Sequence, residues 1–261
     1  MLDVVWAPAA GAFVGLIVGL TGVGGGALMA PILLFAFGID LVTVVATDLL
    51  FATVTKITAS SVHHRNAFVD WQITKRMWLG SIPAGIIIMA VVYQGYSLEN
   101  HAVILKLLGG LILISALSLL FGSKLQLLQR ANRINDPEHF KKYQGPATTI
   151  AGGLLGGLVA LTSVGAGALG AVILRSLYPL RMTAHKLVAT DTIHAIPVSL
   201  IAGFSYLLLG FVDLTLLGYL LAGSIPAALL GSKLMNHLPQ QTIKLLLGSA
   251  LLIAGLKILA S

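Results

Sequence analysis

The chain has 261 residues and no cysteine. That absence excludes disulfides, thiolate nucleophiles and cysteine-ligated zinc or iron–sulfur centres. Charge is scarce too: Asp, Glu, Lys and Arg make up 10% of the residues. Soluble globular domains carry about 25%. Hydrophobic residues reach 57%, and the mean hydropathy is +0.96. This composition excludes a water-soluble single domain and a disordered chain. Acidic residues are the scarcer sign, 9 against 16 Lys and Arg, for a formal charge of +7. In a soluble chain that excess would point to nucleic acid. In a chain this apolar the bases read as topology anchors on cytoplasmic loops, and no nucleic-acid partner is expected. No Lys or Arg precedes the apolar run that follows Met1-Leu2-Asp3, so a secretory signal peptide is not expected there.

What is present is apolar sequence in long runs. A membrane-spanning helix needs about 20 such residues. The one long polar stretch is Lys124 to Gln144. The remainder holds about eight to ten helical passes, so the expected fold is an all-α polytopic membrane protein. The 29 glycines suit membrane helices that pack closely.

The chain is written twice. Leu20-Thr21-Gly22-Val23-Gly24-Gly25-Gly26-Ala27-Leu28 aligns with Leu161-Thr162-Ser163-Val164-Gly165-Ala166-Gly167-Ala168-Leu169, and Val45-Ala46-Thr47-Asp48 recurs as Val188-Ala189-Thr190-Asp191. Phe68-Val69-Asp70 recurs as Phe211-Val212-Asp213, and Gly80-Ser81-Ile82-Pro83-Ala84 as Gly223-Ser224-Ile225-Pro226-Ala227. The first match is offset by 141 residues (161 minus 20) and the others by 143 (188 minus 45). One two-residue insertion explains all four. The expected organisation is a first repeat over 1–123, a linker over 124–145 and a second repeat over 146–261. Each repeat reads as an interrupted apolar hairpin and three helices: about 5–37, 41–62, 74–94 and 101–122, then about 146–178, 183–206, 211–231 and 241–259.

Charge orients the repeats. If the interrupted unit is a hairpin, each repeat crosses an odd number of times and the second is inverted. Thirteen bases then share one side: Arg65, Lys75, Arg76, Lys124, Arg130, Arg133, Lys141, Lys142, Arg175, Arg181, Lys186, Lys233 and Lys244. Only Lys106 and Lys257 fall opposite, with Lys56 inside a span. Parallel repeats would split the same fifteen bases 9 to 6. Cytoplasmic loops are enriched in Lys and Arg, so the inverted arrangement is preferred. The basic loops and the linker are then cytoplasmic and both termini lie outside. Inverted repeats are common in secondary transporters, whose substrate sits near mid-membrane where the repeats meet.

The chemistry concentrates at the repeated motifs. The run Thr21-Gly22-Val23-Gly24-Gly25-Gly26 disfavours continuous helix, at about 1 kcal/mol per Gly relative to Ala. It is no phosphate loop, since no Gly-Lys-Ser/Thr follows. Within a membrane, such backbone survives only when buried in protein or lining a cavity. Two short helices are therefore expected to meet at mid-depth, the second offering N–H groups to an anion. Thr162-Ser163-Val164-Gly165-Ala166-Gly167 does the same in the second repeat. Candidate substrate-binding residues are Thr21, Gly22, Gly24, Gly25, Gly26, Thr47, Thr162, Ser163, Gly165, Gly167 and Thr190. Close helix packing of small residues is the alternative for these glycines.

Asp48 and Asp191 occupy equivalent places in apolar helices, where a carboxylate costs at least about 2.5–3.5 kcal/mol on insertion scales. Each follows a threonine. His194 lies three residues after Asp191, on the same helix face. Asp48, Asp191 and His194 are the candidate coupling or gating residues, for relay of protons. The alternative for the carboxylates is to brace the helix break of their own repeat. Lys56 is expected to snorkel to the surface, pairing with substrate or carboxylate being the other option. Pro83 and Pro226 should kink their helices. Trp6, Trp71 and Trp78 fit an interfacial belt. His63 and His64 lack a third ligand, so neither a metal site nor a cofactor is expected.

These motifs carry a family likeness. The chain resembles the sulfite exporter TauE/SafE family of membrane permeases along essentially its whole length. The resemblance rests on Gly22-Val23-Gly24-Gly25-Gly26 followed by Pro31, on Ala46-Thr47-Asp48, and on His63-His64-Arg65 leading to Val69-Asp70-Trp71. It rests equally on His185-Lys186 leading to Thr190-Asp191 and on His194-Ala195. It implies a multi-pass transporter of the inner (plasma) membrane for small sulfur-containing anions such as sulfite and sulfonates. The second repeat departs from the pattern: Ser163 and Ala166 replace glycines, and Val172 stands where the first repeat has Pro31.

The expected function is a secondary transporter that carries a small sulfur-containing oxyanion by alternating access, with protons as a candidate coupling ion. It is not expected to be an enzyme. The partners are the anion and the lipid bilayer; a homo-oligomer is left open. The alternatives are an anion channel of the same substrate class and, more remotely, an intramembrane aspartyl enzyme. That enzyme would need Asp48 and Asp191 within about 4 Å, sharing a proton.

Overall fold

A computed structural model describes residues 4–21, 26–64, 68–94, 101–135, 137–165, 167–234 and 240–260. Every regular element among them is helical. After a 3₁₀ turn at Val4–Trp6, α1 (Ala7–Thr21) and α2 (Gly26–Ile32) flank the first glycine run. Helices α3 (Leu41–His64), α4 (Trp71–Tyr93) and α5 (His101–Asn135) follow. Then α6 (Pro137–Thr162) and α7 (Ala168–Leu177) flank the second run, followed by α8 (Ala184–Leu208), α9 (Leu214–Leu234) and α10 (Gln240–Ala260).

Among the described residues, seven helices are long and apolar enough to cross a membrane: Val4–Thr21, Leu41–Ser61, Trp71–Tyr93, Ala102–Gly122, Tyr143–Thr162, His185–Leu208 and Leu214–Leu234. Gly26–Phe37 and Leu245–Ala260 are shorter apolar helices. The polar stretch from Lys124 is mostly helix, since α5 runs on to Asn135 and α6 begins at Pro137. Its residues explain this. Leu125-Gln126-Leu127-Leu128-Gln129-Arg130-Ala131 are all good helix formers, and Pro137 sits at a first helical position, where its missing N–H costs nothing.

Helix starts follow local chemistry. Asp40 Oδ1 accepts the Val42 and Thr43 N–H groups at 3.0 and 3.1 Å, and Thr183 Oγ1 accepts the Lys186 N–H at 3.3 Å. Asp70 Oδ1 accepts from Ile73 N–H at 3.4 Å, and Asp213 Oδ1 from Leu216 N–H at 2.9 Å. Each cap stabilises its helix by about 1 kcal/mol. Pro31 removes one helical donor from α2, and the chain widens into a π turn over Leu33–Phe37.

Two helices hold the centre. Burial takes in 72% of the α3 span and 61% of the α8 span, against 28–44% for the other five. Helices α3 and α8 pack on each other, α1 packs on α9, α6 on α4, and α5 on α10. Glycine permits the closest of these approaches. A Cβ on Gly15 of α1 would lie 2.7 Å from Ser224 Cα of α9, and one on Gly156 of α6 would lie 2.6 Å from Ser81 Cα of α4. Backbones approach this closely where small residues line membrane-helix interfaces. The outer helices turn apolar side chains outward, among them Leu79, Ile87, Leu154 and Leu230. A separate apolar cluster of Ile73, Met77, Leu155, Leu174, Tyr178, Met182 and Leu187 fills one end between α4, α6, α7 and α8.

Candidate functional site

The central helices carry the polar interior. Thr47, Asp48, Thr55 and Lys56 of α3 are buried, as are Thr190, Asp191, Thr192 and His194 of α8. Ionisable groups buried inside apolar outer faces make this interior the candidate functional site.

The break between α6 and α7 has an unusual backbone. Ser163 has φ +59°, Gly165 +133° and Gly167 +118°. Glycine adopts such angles freely, but for Ser163 the left-handed region costs about 1–2 kcal/mol. What holds it there is Asp48: Ser163 Oγ donates to Asp48 Oδ2 at 2.5 Å. Gly26, at the start of α2, lies against both partners. A Cβ there would sit 2.8 Å from Asp48 Oδ2 and 3.0 Å from the Ser163 carbonyl carbon. The described ends of the two glycine-rich breaks therefore meet at Asp48. The hydrogen-bond partner of Asp48 among the described residues, Ser163, comes from the other sequence repeat.

Asp191 lies over the start of α7. It accepts a hydrogen bond from the Gly167 N–H, and Gly170 in the first turn lies against its carboxylate. This carboxylate thus occupies the helix start that the sequence offered to an external anion, where negative charge is favoured. Its other oxygen, Oδ1, has no hydrogen-bond partner among the described residues, and neither has Asp48 Oδ1. No hydrogen bond joins the two carboxylates among the described residues.

His194 does not pair with Asp191. Its Nε2 lies 3.0 Å from Ser81 Oγ of α4, and its Nδ1 has no partner among the described residues. Trp78 was expected in the interfacial belt. Its indole N–H instead turns inward and donates to the His194 carbonyl at 3.1 Å. Trp6 and Trp71 are exposed, as a belt requires.

Lys56 does not snorkel. It is 3% exposed, and it interacts electrostatically with Asp191 and Asp48 and with His194. No ion pair within 4.0 Å joins it to either carboxylate among the described residues. The reason is depth: eight residues separate Lys56 from the end of α3 at His64, about 12 Å of helix.

The threonines before the carboxylates serve the opposite helix starts. Thr190 Oγ1 accepts the Asp70 N–H at 3.0 Å, and Thr47 Oγ1 accepts the Asp213 N–H at 3.2 Å. Thr21 Oγ1 donates to the Ile17 carbonyl at 2.8 Å. Thr162 Oγ1 lies 2.7 Å from the Leu158 carbonyl and accepts the Val164 N–H at 3.2 Å. Gly22, Gly24 and Gly25 lie outside the described residues. The groups that sequence reasoning did not place in the site are Lys56, Ser81 and Trp78. Ser81 had a signal, since it belongs to the repeated Gly-Ser-Ile-Pro-Ala motif.

An all-helical bundle with apolar outer faces, several spanning helices and a buried polar centre is a multi-pass membrane protein. The chain belongs to the Sulfite exporter TauE/SafE family of membrane transporters, whose family model matches residues 7–258. It is similar to the probable membrane transporter protein YjnA of Bacillus subtilis (strain 168), with 33% identity over 252 residues covering 95% of this chain and 97% of that protein. No solved structure matches the chain.

Proposed function

We propose that this transporter carries a small sulfur-containing oxyanion, sulfite or an organosulfonate, across the inner (plasma) membrane by alternating access. Residues 1–123 and 146–261 act as inverted repeats joined by 124–145, with the basic loops cytoplasmic and both termini outside. The exchanged pairings support this arrangement. Helix α1 packs on α9 while α6 packs on α4, and Thr190–Asp70 is matched by Thr47–Asp213. The observation that carries the reading is the junction of Gly26, Asp48 and Ser163. There the two breaks meet inside the membrane bundle around a carboxylate with one oxygen unpartnered. Non-helical backbone at membrane depth is characteristic of transporter sites. Thr21, Thr162, Gly165 and Gly167 shape that site beside Gly22, Gly24 and Gly25, and Asp48, Asp191 and His194 carry coupled protons.

The test is sulfite flux into proteoliposomes, with and without an imposed pH gradient, for the parent, Asp48→Asn and Asp191→Asn. Saturable flux that follows the gradient, and ceases to follow it in an Asp variant, is the expected result. Saturable flux indifferent to the gradient would remove proton coupling. Absence of flux for sulfite and a panel of sulfonates would remove the substrate class.

A further inference from the structure

Several helices meet at one border of the bundle. The α5 span ends at Gly122 and the α6 span begins at Tyr143. The Gln144 side-chain amide donates to the Leu177 carbonyl at the end of α7, and Arg76 of α4 reaches the same place, with Nη1 3.5 Å from the Tyr178 hydroxyl. Exposed Trp71 and Tyr143 set this end at the level of the lipid headgroups, where amphipathic rings collect. Its bases differ in what holds them. Arg181 is bonded to Asp70 and Gln72. Arg175, in the last turn of α7, is half-buried and makes no hydrogen bond or ion pair among the described residues. Its guanidinium is laid against α5: a Cβ on Gly122 would lie 2.6 Å from Nη1 and 3.9 Å from Cζ. Withdrawing a cation from water without a partner costs free energy. A guanidinium has only donors to offer, so an anion is what completes it.

We propose that Arg175, laid against Gly122, is the seat of an anionic phospholipid headgroup between the end of α7 and the α5 span. The planar fork of an arginine matches two phosphate oxygens at once. Depth selects a lipid over a dissolved ion. Gly122 stands two residues before Lys124, where the apolar run of α5 gives way to polar sequence, so the guanidinium lies at the hydrocarbon border. Phe121, next to Gly122, and Leu180 are exposed, and they offer acyl chains an apolar surface beside the charge. The buried carboxylate at this end among the described residues, Asp70, is taken by Arg181, which leaves Arg175 to an external anion. Basic positions between membrane helices at this level suit anionic headgroups. The seat belongs to one repeat only, since the residue 141 positions earlier is Leu34 (175 minus 141). It needs only the membrane setting, not any particular transported anion.

The experiment mixes the detergent-purified protein with phosphatidylglycerol, phosphatidylcholine or inorganic phosphate and counts retained lipid by native mass spectrometry over a range of lipid concentrations. The parent should retain phosphatidylglycerol in preference to phosphatidylcholine, and inorganic phosphate at matched concentration should not displace it. Arg175→Gln should weaken that retention about ten-fold or more, as for the loss of hydrogen bonds to a charged group. Lys75→Gln, which removes an exposed base of α4 at the same end, should weaken it at most about five-fold, as for general surface attraction. Arg175→Lys keeps the charge but not the fork and should fall between the parent and Arg175→Gln. Retention by Arg175→Gln equal to that of the parent overturns the proposal, and so does an equal loss in Lys75→Gln. Equal retention of phosphatidylcholine removes the selectivity for an anionic headgroup and overturns it too. Displacement by inorganic phosphate would make the seat one for a dissolved ion and overturn the lipid. Should Arg175→Gln not fold, Arg175→Lys decides: weaker retention than the parent is expected, and parent-like retention refutes the seat.

Discussion

The backbone N–H of Asp70 donates to Thr190 Oγ1 at 3.0 Å. This ties the first residue before α4 to the second turn of α8, and the same bond with the repeats exchanged joins Asp213 to Thr47 at 3.2 Å. In each case the threonine stands immediately before a buried aspartate.

Replacing Thr190 by Val keeps the volume and removes the acceptor, leaving the Asp70 N–H unpaired. That should cost about 1–3 kcal/mol, whereas Thr190→Ser should cost much less. Thermal unfolding in detergent reads the difference. Equal midpoints for the Val and Ser variants would show that the bond contributes nothing.

Ser163 separates two contributions of opposite sign. Its hydrogen bond to Asp48, being charge-assisted, contributes about 1.5–3 kcal/mol, while its left-handed φ of +59° costs about 1–2 kcal/mol. Ser163→Gly loses the bond but sheds the strain, so it should be only slightly destabilised. Ser163→Ala loses the bond and keeps the strain. Stability should fall in the order Ser, Gly, Ala, as measured by unfolding midpoints. Ala more stable than Gly would contradict this account.

Gly26 fits closely between Asp48 and Ser163, within 3.0 Å of both for an added Cβ. Gly26→Ala should therefore push the two breaks apart, at a cost of about 1–3 kcal/mol as in overpacked cores. Flux should fall further than stability. Parent-like flux in a folded Gly26→Ala protein would place the substrate path elsewhere.

Arg181 joins Asp70 through Nε at 2.6 Å and Nη2 at 2.9 Å, and Gln72 through Nη1 at 2.9 Å. Its counterpart 143 residues earlier is Gly38, so this latch exists on one side only. Arg181 is 46% exposed, which limits the pair to about 1 kcal/mol after solvent screening. Arg181→Gln should then raise the population opened on that side by at most about five-fold. The chain has no cysteine, so a single cysteine at Met77, in the apolar cluster beneath the latch, reports the opening by its rate of alkylation. An unchanged rate would show that the ion pair does not gate.

Much of the fold was legible because its causes are local. Apolar run length set the helices, while the caps at Asp40, Asp70, Thr183 and Asp213 were identified only by the structure. The glycine runs marked the breaks, since too many glycines in succession cannot hold a helix. The repeat also picked out Asp48 and Asp191 as equivalent buried carboxylates. The polar stretch after Lys124 is expected to link the repeats, and its helical conformation is what the polarity did not announce. Its residues are strong helix formers, and α5 and α6 run into it.

The sequence by itself determined an all-helical membrane protein, its duplicated order of elements and the residue types at its centre, all of which follow from composition and short-range pattern. Only the tertiary structure decided who meets whom. Asp48 is bonded by Ser163, Asp191 by the start of α7, His194 by Ser81, and Lys56 stays buried among them rather than reaching the surface. These pairings join residues up to 115 positions apart, and no local propensity specifies them. They follow from which faces of α3 and α8 are turned toward the other helices once α1 is packed on α9 and α6 on α4.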